Sequence, residues 1–211
     1  MYLPAHFTET RTDVLHALMR TRPLATLVTS CNSGLTADHV PVQTLSEPAP
    51  LGSIRGHVAR ANPLWREYAQ GSEAMAIFHG PEAYISPSLY PSKTQTGEVV
   101  PTWDYAVVHA HGTLRFIDDA EWLGSFVAGL TATHEASRLQ PWKIGDAPRA
   151  YIDKMLRLIV GFEFSILSLT GKWKVSQNRP LKDQQGVVKG LQEANDADSS
   201  EIAAMLTSRG G

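Results

Sequence analysis

WDYAVVHAHGTLRFI, residues 103–117, is a run of alternating side chains that predicts one long β-strand. Taken in steps of two, one face of this strand carries only apolar or small residues: Ala106, Val108, Ala110, Gly112, Leu114 and Phe116. The opposite face is mixed and carries Tyr105, Val107, His109, His111, Thr113, Arg115 and Ile117. A long strand that is packed on one face and mixed on the other is typical of a barrel wall whose outer face meets another surface.

Shorter strands are predicted on both sides of this segment, each bounded by turn residues. They cover 24–30, 36–45, 53–59, 73–79, 82–86 and 162–169, with a further extended piece at 172–178. Asn32-Ser33-Gly34 and the segment 47–52 predict the first two turns, and Gly80-Pro81 predicts a break between 73–79 and 82–86. Strands that follow one another with short turns predict an antiparallel arrangement.

Helical patterns are predicted between and after the strands. They lie at 10–20, at a short segment after Asn62-Pro63, after a cap at Asp118 or Asp119, after Pro148, after Pro180 and at 201–206. The predicted fold is therefore mainly β with helices (α+β): an antiparallel split β-barrel with inserted and C-terminal helices. We expect one domain over 1–192, with the inserted helices at about 118–160, and a polar tail with a short terminal helix over 193–211.

The amino-acid composition excludes several classes of protein. The chain has 211 residues, of which 43% are hydrophobic and 19% charged, which is typical of globular proteins and excludes wholesale disorder. Its net charge of -2 does not support a DNA-binding surface. The single cysteine, Cys31, excludes an internal disulfide. The start has no secretory pattern and no apolar run approaches ~20 residues, so we expect a cytoplasmic protein without a membrane segment.

Common catalytic motifs are absent from the sequence. There is no GxGxxG, GxxxxGK[ST], GxSxG or HExxH, so no catalytic residue is predicted. Eight histidines raise the question of a metal or an axial haem ligand, because several lie on predicted strands. No carboxylate stands at ligand spacing beside them, and hydrogen bonding to neighbours explains them equally well. We therefore predict no metal site.

The segment HVARANP, residues 57–63, has the features of a phosphate-binding turn. A strand ends at the cationic Arg60, and a helix begins at Asn62-Pro63. A helix N-terminus presents backbone N–H groups, and a guanidinium adds two parallel donors. The alternative is a helix cap without a ligand, since Asn and Pro are common at helix starts.

Two further segments carry residues suited to a flat heteroaromatic ligand. GKWKVSQN, residues 171–178, supplies two lysines, a tryptophan and amide groups in one extended piece. Residues 84–105 supply Tyr84, Tyr90, Trp103 and Tyr105. The alternatives are a solvated surface strand for the first segment and a dimer interface for the second.

Several long strings in the sequence resemble the PaiB family. They are MYLPAHF at the start, GHVARANP, IFHGPEAYISPS-x-YPSK, VVPTWDYAVVHAHG, LTATHE and GKWKVSQNRP, and the likeness extends from Met1 to about residue 192. Members are described as FMN-binding negative transcriptional regulators. The resemblance implies a split β-barrel similar to that of pyridoxamine phosphate oxidase, and a homodimer with FMN at the subunit interface.

The resemblance also implies which residues contact the flavin. From one subunit these are His39, Val40, Pro41, His57, Ala59, Arg60 and Asn62. From the second subunit they are Trp103, Tyr105, Lys174 and Gln177. Lys174 is the cation expected near the N1–C2 carbonyl edge of the flavin. The motifs that recognise pyridoxal phosphate in the oxidases are not apparent, so their substrate is not carried over.

Three functions follow from these observations. The first is a homodimeric FMN-binding regulator of transcription, acting on DNA directly or through a partner or metabolite. The second is a flavin-dependent oxidoreductase that acts on a small molecule. The third is a haem-handling split barrel in which one histidine is an axial ligand.

Overall fold

The computed structural model describes residues 1–31, 34–48, 50–69 and 71–209. Within them the chain forms seven strands: β1 (Thr8–Glu9), β2 (Leu24–Cys31), β3 (Gly34–Leu45), β4 (Ser53–Ala59), β5 (Glu73–Ile85), β6 (Thr102–Ile117) and β7 (Ile159–Lys174). Asn32 and Ser33 of the first predicted turn, and Ala49 of the second, lie outside the described residues.

The strands pair in the order β1-β7-β4-β3-β2-β5-β6, and a further pairing joins β6, the last strand of this order, to β7, the second. The register of β1 with β7, β2 with β3 and β5, β3 with β4, and β4 with β7 is antiparallel throughout. Helices cover much of the remaining chain. The predicted antiparallel α+β fold is therefore confirmed.

Strand β6 follows the predicted alternation over most of its length. Ala106, Val108, Ala110, Gly112 and Leu114 are all buried, and so is Asp104, which shares their face. The prediction is wrong at three positions: Phe116 is only half-buried, whereas Val107 and Ile117 of the mixed face are buried. A carboxylate on the apolar face needs a buried partner, and the structure supplies one.

Seven α-helices accompany the strands in the described part of the chain: α1 (Thr12–Thr21), α2 (Leu64–Glu67), α3 (Lys93–Thr96), α4 (Ala120–Glu135), α5 (Arg149–Leu156), α6 (Leu181–Ala194) and α7 (Ala197–Arg209). Helix α4 begins where Asp119 Oδ1 accepts the Trp122 N–H at 2.7 Å, so Asp119 rather than Asp118 is the cap. No helix among the described residues is both long enough and apolar enough to span a bilayer.

Two predicted breaks are absent from the structure. Residues 73–79 and 82–86 belong to the single strand β5. Gly80 lies inside this strand, where its lack of a side chain permits close packing, and does not form a turn. A Cβ at Gly80 would lie 2.8 Å from the Leu18 side chain and 2.9 Å from the Ala106 carbonyl oxygen. Likewise, 162–169 and the start of 172–178 form the single strand β7.

The described chain divides into two compact units. Unit 1 comprises Met1–Leu18, His79–Val108 and Thr170–Gly211, and unit 2 comprises Met19–Phe78 and His109–Leu169. In unit 1 the predicted short terminal helix is longer than expected, and its Ile202 and Leu206 are buried with Val187 and Leu191 of α6. The units do not divide the chain at residue 192, and the domain boundary predicted there stays a prediction.

Helix α4 is held on the sheet of unit 2 by aromatic packing. The Trp122 and Phe126 rings stack with their centroids 5.2 Å apart, and Arg55 of β4 lies over the Trp122 ring. Gly161 of β7 provides the space, because a Cβ there would lie 2.3 Å from the Trp122 ring. This packing covers the face of β4 that carries Arg55 and His57.

Candidate cofactor site

Arg60, the predicted phosphate ligand, is bound to other groups of unit 2. Its Nη1 and Nη2 donate to Asp118 Oδ2 and Oδ1 at 2.7 and 2.5 Å. Its Nε donates to the Arg157 carbonyl at 2.7 Å, and Nη2 also donates to the Ile159 carbonyl at 3.0 Å. All three guanidinium nitrogens thus have partners within the chain, and a phosphate would have to displace Asp118 to bind here.

Asn62 is also engaged, at the start of the four-residue helix α2. Its Oδ1 accepts the Leu64 N–H at 2.8 Å, which caps the helix, and its Nδ2 donates to Asp38 Oδ1 at 2.6 Å. The second bond joins this turn to β3, beside His39. The structure therefore favours the capping alternative for Asn62 and an ion pair with Asp118 for Arg60, and FMN contact by either residue stays a prediction.

The other predicted residues of unit 2 differ in exposure. His39 and Pro41 are exposed on β3 and Val40 between them is buried, as expected from strand alternation. Ala59 is exposed at the end of β4. His57 is half-buried, and its ring meets the Phe126 ring edge-on with centroids 6.0 Å apart.

His57 carries a buried nitrogen, Nδ1, that has no hydrogen-bond partner within the described chain. Burial lowers the pKa of this imidazole, because desolvation disfavours the charged form. Helix α4 covers this side of β4. The structure therefore places His57 against an aromatic ring of its own unit.

The predicted aromatic residues of unit 1 form a partly open face. Trp103 is 53% exposed, and its ring meets the ring of Tyr84 at 5.9 Å in an edge-to-face contact. Tyr105, two residues on along β6, is half-buried. Residues two apart on a strand share a face, so Trp103 and Tyr105 present their rings on the same side. Exposed aromatic rings are suited to stack on a planar ligand.

Lys174 is held by groups of β6, and its two side-chain partners there, Thr102 and Asp104, lie on the face opposite to Trp103 and Tyr105. Its Nζ donates to Thr102 Oγ1 at 2.7 Å and to the Trp103 carbonyl, and lies 3.5 Å from Asp104 Oδ1. The lysine side chain remains 23% exposed. Two hydrogen-bond acceptors and the Asp104 carboxylate hold the ammonium in one place, so it can act on a neighbouring ligand through its charge.

Asp104 is the buried carboxylate that faces the Lys174 ammonium. The carboxylate is fully buried, and Oδ2 accepts a hydrogen bond from Ser176 Oγ at 2.6 Å. Burial raises the pKa of Asp104, although the Ser176 hydrogen bond and the Lys174 charge oppose that shift. Ser176 itself has a left-handed backbone with φ of 61°, a conformation that is uncommon for residues other than glycine.

Gln177 fixes the chain that follows β7. Its Oε1 accepts the Val175 N–H at 2.8 Å, and its Nε2 donates to the His6 carbonyl at 2.9 Å and to the Trp173 carbonyl. Both ends of the amide are therefore in use. Gln177 shapes the segment 173–179 rather than offering an unfilled donor to a ligand.

The residues of unit 1 fit a flavin in part. The two aromatic rings on one face of β6 match a planar ring system, and the Lys174 ammonium on the paired strand β7 supplies a fixed positive charge for an electron-accepting carbonyl edge. Sequence reasoning missed Asp104 as the anchor of Lys174, although a carboxylate on the apolar face of 103–117 was a visible signal. Lys172 belongs to the segment 171–178 that the sequence singled out, but it was not among the predicted flavin contacts.

The histidines do not gather into a metal site within the described residues. No three His, Cys, Asp or Glu side chains in the ranges 1–31, 34–48, 50–69 and 71–209 are placed to hold an ion together. Cys31 is half-buried, and its Sγ lies 3.7 Å from Thr29 Oγ1 and 3.9 Å from Thr36 Oγ1.

The sequence matches the family described as "Putative FMN-binding domain" over residues 1–168. The chain belongs to this FMN-binding family. The FMN expected from the sequence is thereby confirmed as the family's cofactor. An uncharacterized protein of Emericella nidulans is 31% identical, over 100% of this chain and 98% of its own. "Protease synthase and sporulation protein PAI 2" of Bacillus subtilis is 28% identical, over 98% of this chain and 96% of its own, in agreement with the PaiB resemblance.

Solved structures similar to this FMN-binding-family protein share its fold. The FAD and haem binding protein from Mycobacterium smegmatis has a TM-score of 0.56 and 16% identity, over 79% of this chain and 73% of its own. The flavocytochrome Anf3 from Azotobacter vinelandii has a TM-score of 0.54 and 14% identity, over 82% of this chain and 72% of its own. At such low identity the likeness concerns the fold alone, and it confirms the predicted split-barrel class.

Proposed function

We propose that this protein is a homodimeric flavoprotein that binds FMN against the face formed by Trp103, Tyr105 and Lys174. The observation that carries the proposal is the pair of aromatic rings on one face of β6 that is left partly open to solvent, with the fixed ammonium of Lys174 on the paired strand β7. Membership of the FMN-binding family supports the choice of ligand.

The chain's own residues would divide the work of binding. Trp103 and Tyr105 offer ring faces to the isoalloxazine, while Lys174 favours negative charge at the ligand edge nearest to it. Asp104 and Thr102 keep that ammonium in place. When bound, FMN supplies reversible one- and two-electron transfer.

Flavin titration tests the proposed ligand. Wild-type protein should quench FMN fluorescence with a saturable curve, and Trp103→Ala should weaken binding by roughly tenfold because a stacking surface is lost. Trp142→Ala is the matched control, because Trp142 is 43% exposed and lies in unit 2, outside the Trp103–Lys174 face. Equal affinity of the three proteins would refute the assignment of this face.

The dimer is tested separately by sedimentation velocity. An exposed aromatic surface is a common feature of subunit interfaces, so we expect a two-chain species at micromolar concentration. A single-chain species with and without FMN would refute the homodimer and leave the titration result standing.

We further propose that the flavin-bound dimer regulates transcription, as the PaiB resemblance implies. The Bacillus subtilis relative, whose printed name refers to protease synthesis and sporulation, supports this indirectly. A net charge of -2 argues for action through a partner or metabolite rather than direct DNA contact. Loss of the protein should change transcript levels, while duplex DNA should bind only weakly at physiological salt.

The alternatives are separated by simple assays. FMN-dependent consumption of NAD(P)H or oxygen with a small-molecule substrate would favour the oxidoreductase, and a Soret band in the isolated protein would favour the haem-handling alternative. A cytoplasmic location stays a prediction.

A further inference from the structure

Lys172 of β7 is a buried cation that has no acidic partner among the residues that the structure describes. The residue is 8% exposed. Its Nζ makes one hydrogen bond in the described chain, to the Tyr2 carbonyl at 3.2 Å. The rings of Tyr2 and Tyr105 lie 5.9 and 5.3 Å from the same nitrogen. The ammonium is thus enclosed by two aromatic rings and one carbonyl oxygen.

The nearest carboxylate along the pairing of β1 with β7 does not balance this charge. Glu9 is the partner of Gly171 in that pairing. Its Oε1 and Oε2 both accept hydrogen bonds from the side chain of Arg11, at 3.0 and 2.8 Å. Glu9 is therefore committed to a different cation.

An ammonium has three N–H donors, so two donors of Lys172 lack an acceptor within the described residues. Lysine is rarely buried unless it is paired, because leaving water is costly for a charged group. Cation–π contacts with two tyrosines offset only part of that cost. The missing acceptors point to a ligand.

The surroundings of Lys172 indicate where that ligand enters. Tyr105 shares its strand face with the exposed Trp103, and Lys174 follows Lys172 two residues on along β7. Tyr2 is 83% exposed, so the cluster is bounded towards solvent by a single ring. A ligand lying on the aromatic face can therefore bring an oxygen atom to the ammonium.

We propose that Lys172 is an anion-binding residue whose ammonium receives a phosphate or carboxylate oxygen of a ligand held between Tyr2 and Tyr105. The anion is either the phosphate of FMN, in which case the assignment rests on the proposed function, or the carboxylate of a separate small molecule. In both cases the anion supplies hydrogen-bond acceptors and a counter-charge that Lys172 does not find among the described residues.

Chemical protection tests the site without any flavin. The full-length protein is treated with acetic anhydride, with and without inorganic phosphate or benzoate, and acetylation of each lysine is followed by mass spectrometry. At least one anion should slow acetylation of Lys172 several-fold and leave the exposed Lys154 unchanged. The anion site would be overturned if Lys172 were acetylated at the same rate with and without each of the two anions.

Variants then separate the two sources of the anion. If the phosphate of FMN is the ligand group, Lys172→Met should weaken FMN binding by about tenfold and leave riboflavin binding unchanged. If a separate carboxylate is the ligand, FMN binding should be unchanged and benzoate binding, measured by calorimetry, should be lost. Equal weakening of FMN and riboflavin, or no change in any ligand, would overturn the proposal.

Two controls keep these outcomes interpretable. Lys154→Met removes an exposed lysine of α5 and should match wild type in every titration. Lys172→Arg retains the charge and should retain most of the anion binding, which a loss through misfolding would not allow. If wild-type protein binds no FMN, the proposed function fails, whereas the phosphate and benzoate measurements still decide the role of Lys172.

Discussion

Arg60 and Asp118 form a two-pronged ion pair, with Nη1 to Oδ2 at 2.7 Å and Nη2 to Oδ1 at 2.5 Å, between residues 58 positions apart in the chain. The pair links the end of β4 to the residue before the cap of α4. The hydrogen bond from Arg60 is the main cause of the lowered pKa of Asp118, and the positive charge of Arg60 adds to it. A lowered carboxyl pKa stabilises the fold above the ordinary Asp value, and that contribution is lost as pH falls through the folded value.

We predict that Asp118→Asn is less stable than wild type at neutral pH by about 0.5–1 kcal/mol, a small value because Asp118 is 53% exposed. The difference should begin to shrink as pH falls below about 4, the ordinary Asp value, and should vanish once pH falls below the lowered pKa of Asp118 in the folded protein. Urea unfolding at a series of pH values measures it. Asp153→Asn, which removes the more exposed Arg149–Asp153 pair, should change less.

Variants of these two residues test whether Arg60 contacts the FMN phosphate or acts only by stabilising the fold. If Arg60 contacts the phosphate, Arg60→Ala should weaken FMN binding by roughly tenfold, because a charge-assisted pair is lost. Asp118→Asn would release the guanidinium and should leave the affinity unchanged or improve it. Equal weakening in the two variants, measured by fluorescence titration, would show that Arg60 acts only through the fold.

Asp104 should give the opposite dependence on pH. Its pKa is raised, mainly by burial, so the stability associated with its protonated form is present below the ordinary Asp value and lost as pH rises through the folded value. Asp104→Asn cannot ionise and keeps an acceptor for Ser176. Its stability relative to wild type should therefore rise with pH over that interval, by about 1.4 kcal/mol per unit by which the pKa is raised.

Thermal unfolding at graded pH tests this prediction. Asp104→Ala is the contrasting variant, because it removes both the acceptor of the Ser176 hydroxyl and the carboxylate that faces Lys174. We expect it to be destabilised by about 3 kcal/mol at neutral pH. A pH-independent difference between Asp104→Asn and wild type would contradict the raised pKa.

Ser176 donates a hydrogen bond and also has a left-handed backbone. Two substitutions distinguish the contributions of these two features to stability. Both Ser176→Ala and Ser176→Gly lose the bond to Asp104. Only glycine relieves the strain at φ of 61°, so Ser176→Gly should be more stable than Ser176→Ala by about 1 kcal/mol. Chemical denaturation of the two variants side by side measures the difference, and the reverse order would mean that the segment readjusts.

Substituting alanine for two glycines near or in α4 should change the stability of the protein in opposite directions. Gly161→Ala places a methyl group where the Trp122 ring lies, and should cost about 1–3 kcal/mol. Gly129 has no neighbouring atom within 4 Å of a Cβ and lies inside α4, so Gly129→Ala should stabilise by up to about 1 kcal/mol. Melting temperatures of both variants measure these effects. If Gly161→Ala left the melting temperature unchanged, the Trp122 ring would have to be able to move aside.

The fold was more predictable than the partners of its charged residues. Alternation over 103–117 identified the buried face of β6, because period-two patterning is a local signal. Gly80 suggested a break, since a sequence does not reveal that the glycine faces Leu18 and Ala106. The bond between Asp104 and Ser176 joins residues 72 positions apart, which no local pattern can indicate.

The candidate site shows the same limit. Arg60 and Asn62 have the chemistry of a phosphate ligand, and only the folded chain shows that Asp118 and Asp38 already occupy them. Trp103, Tyr105 and Lys174 came from the family resemblance, and the structure adds Asp104 beneath them and Lys172 beside them.

The pairing of β1 with β7 has a consequence for biosynthesis. Thr8 pairs with Lys172, so β1 leaves the ribosome long before its partner strand β7 has been synthesised. Until then Leu15 has no Gly171 to pack on, and the apolar side chains near the N-terminus stay solvent-exposed on the nascent chain. Such delayed closure favours slow maturation, and a chaperone or an early-arriving second chain would shorten the exposed interval.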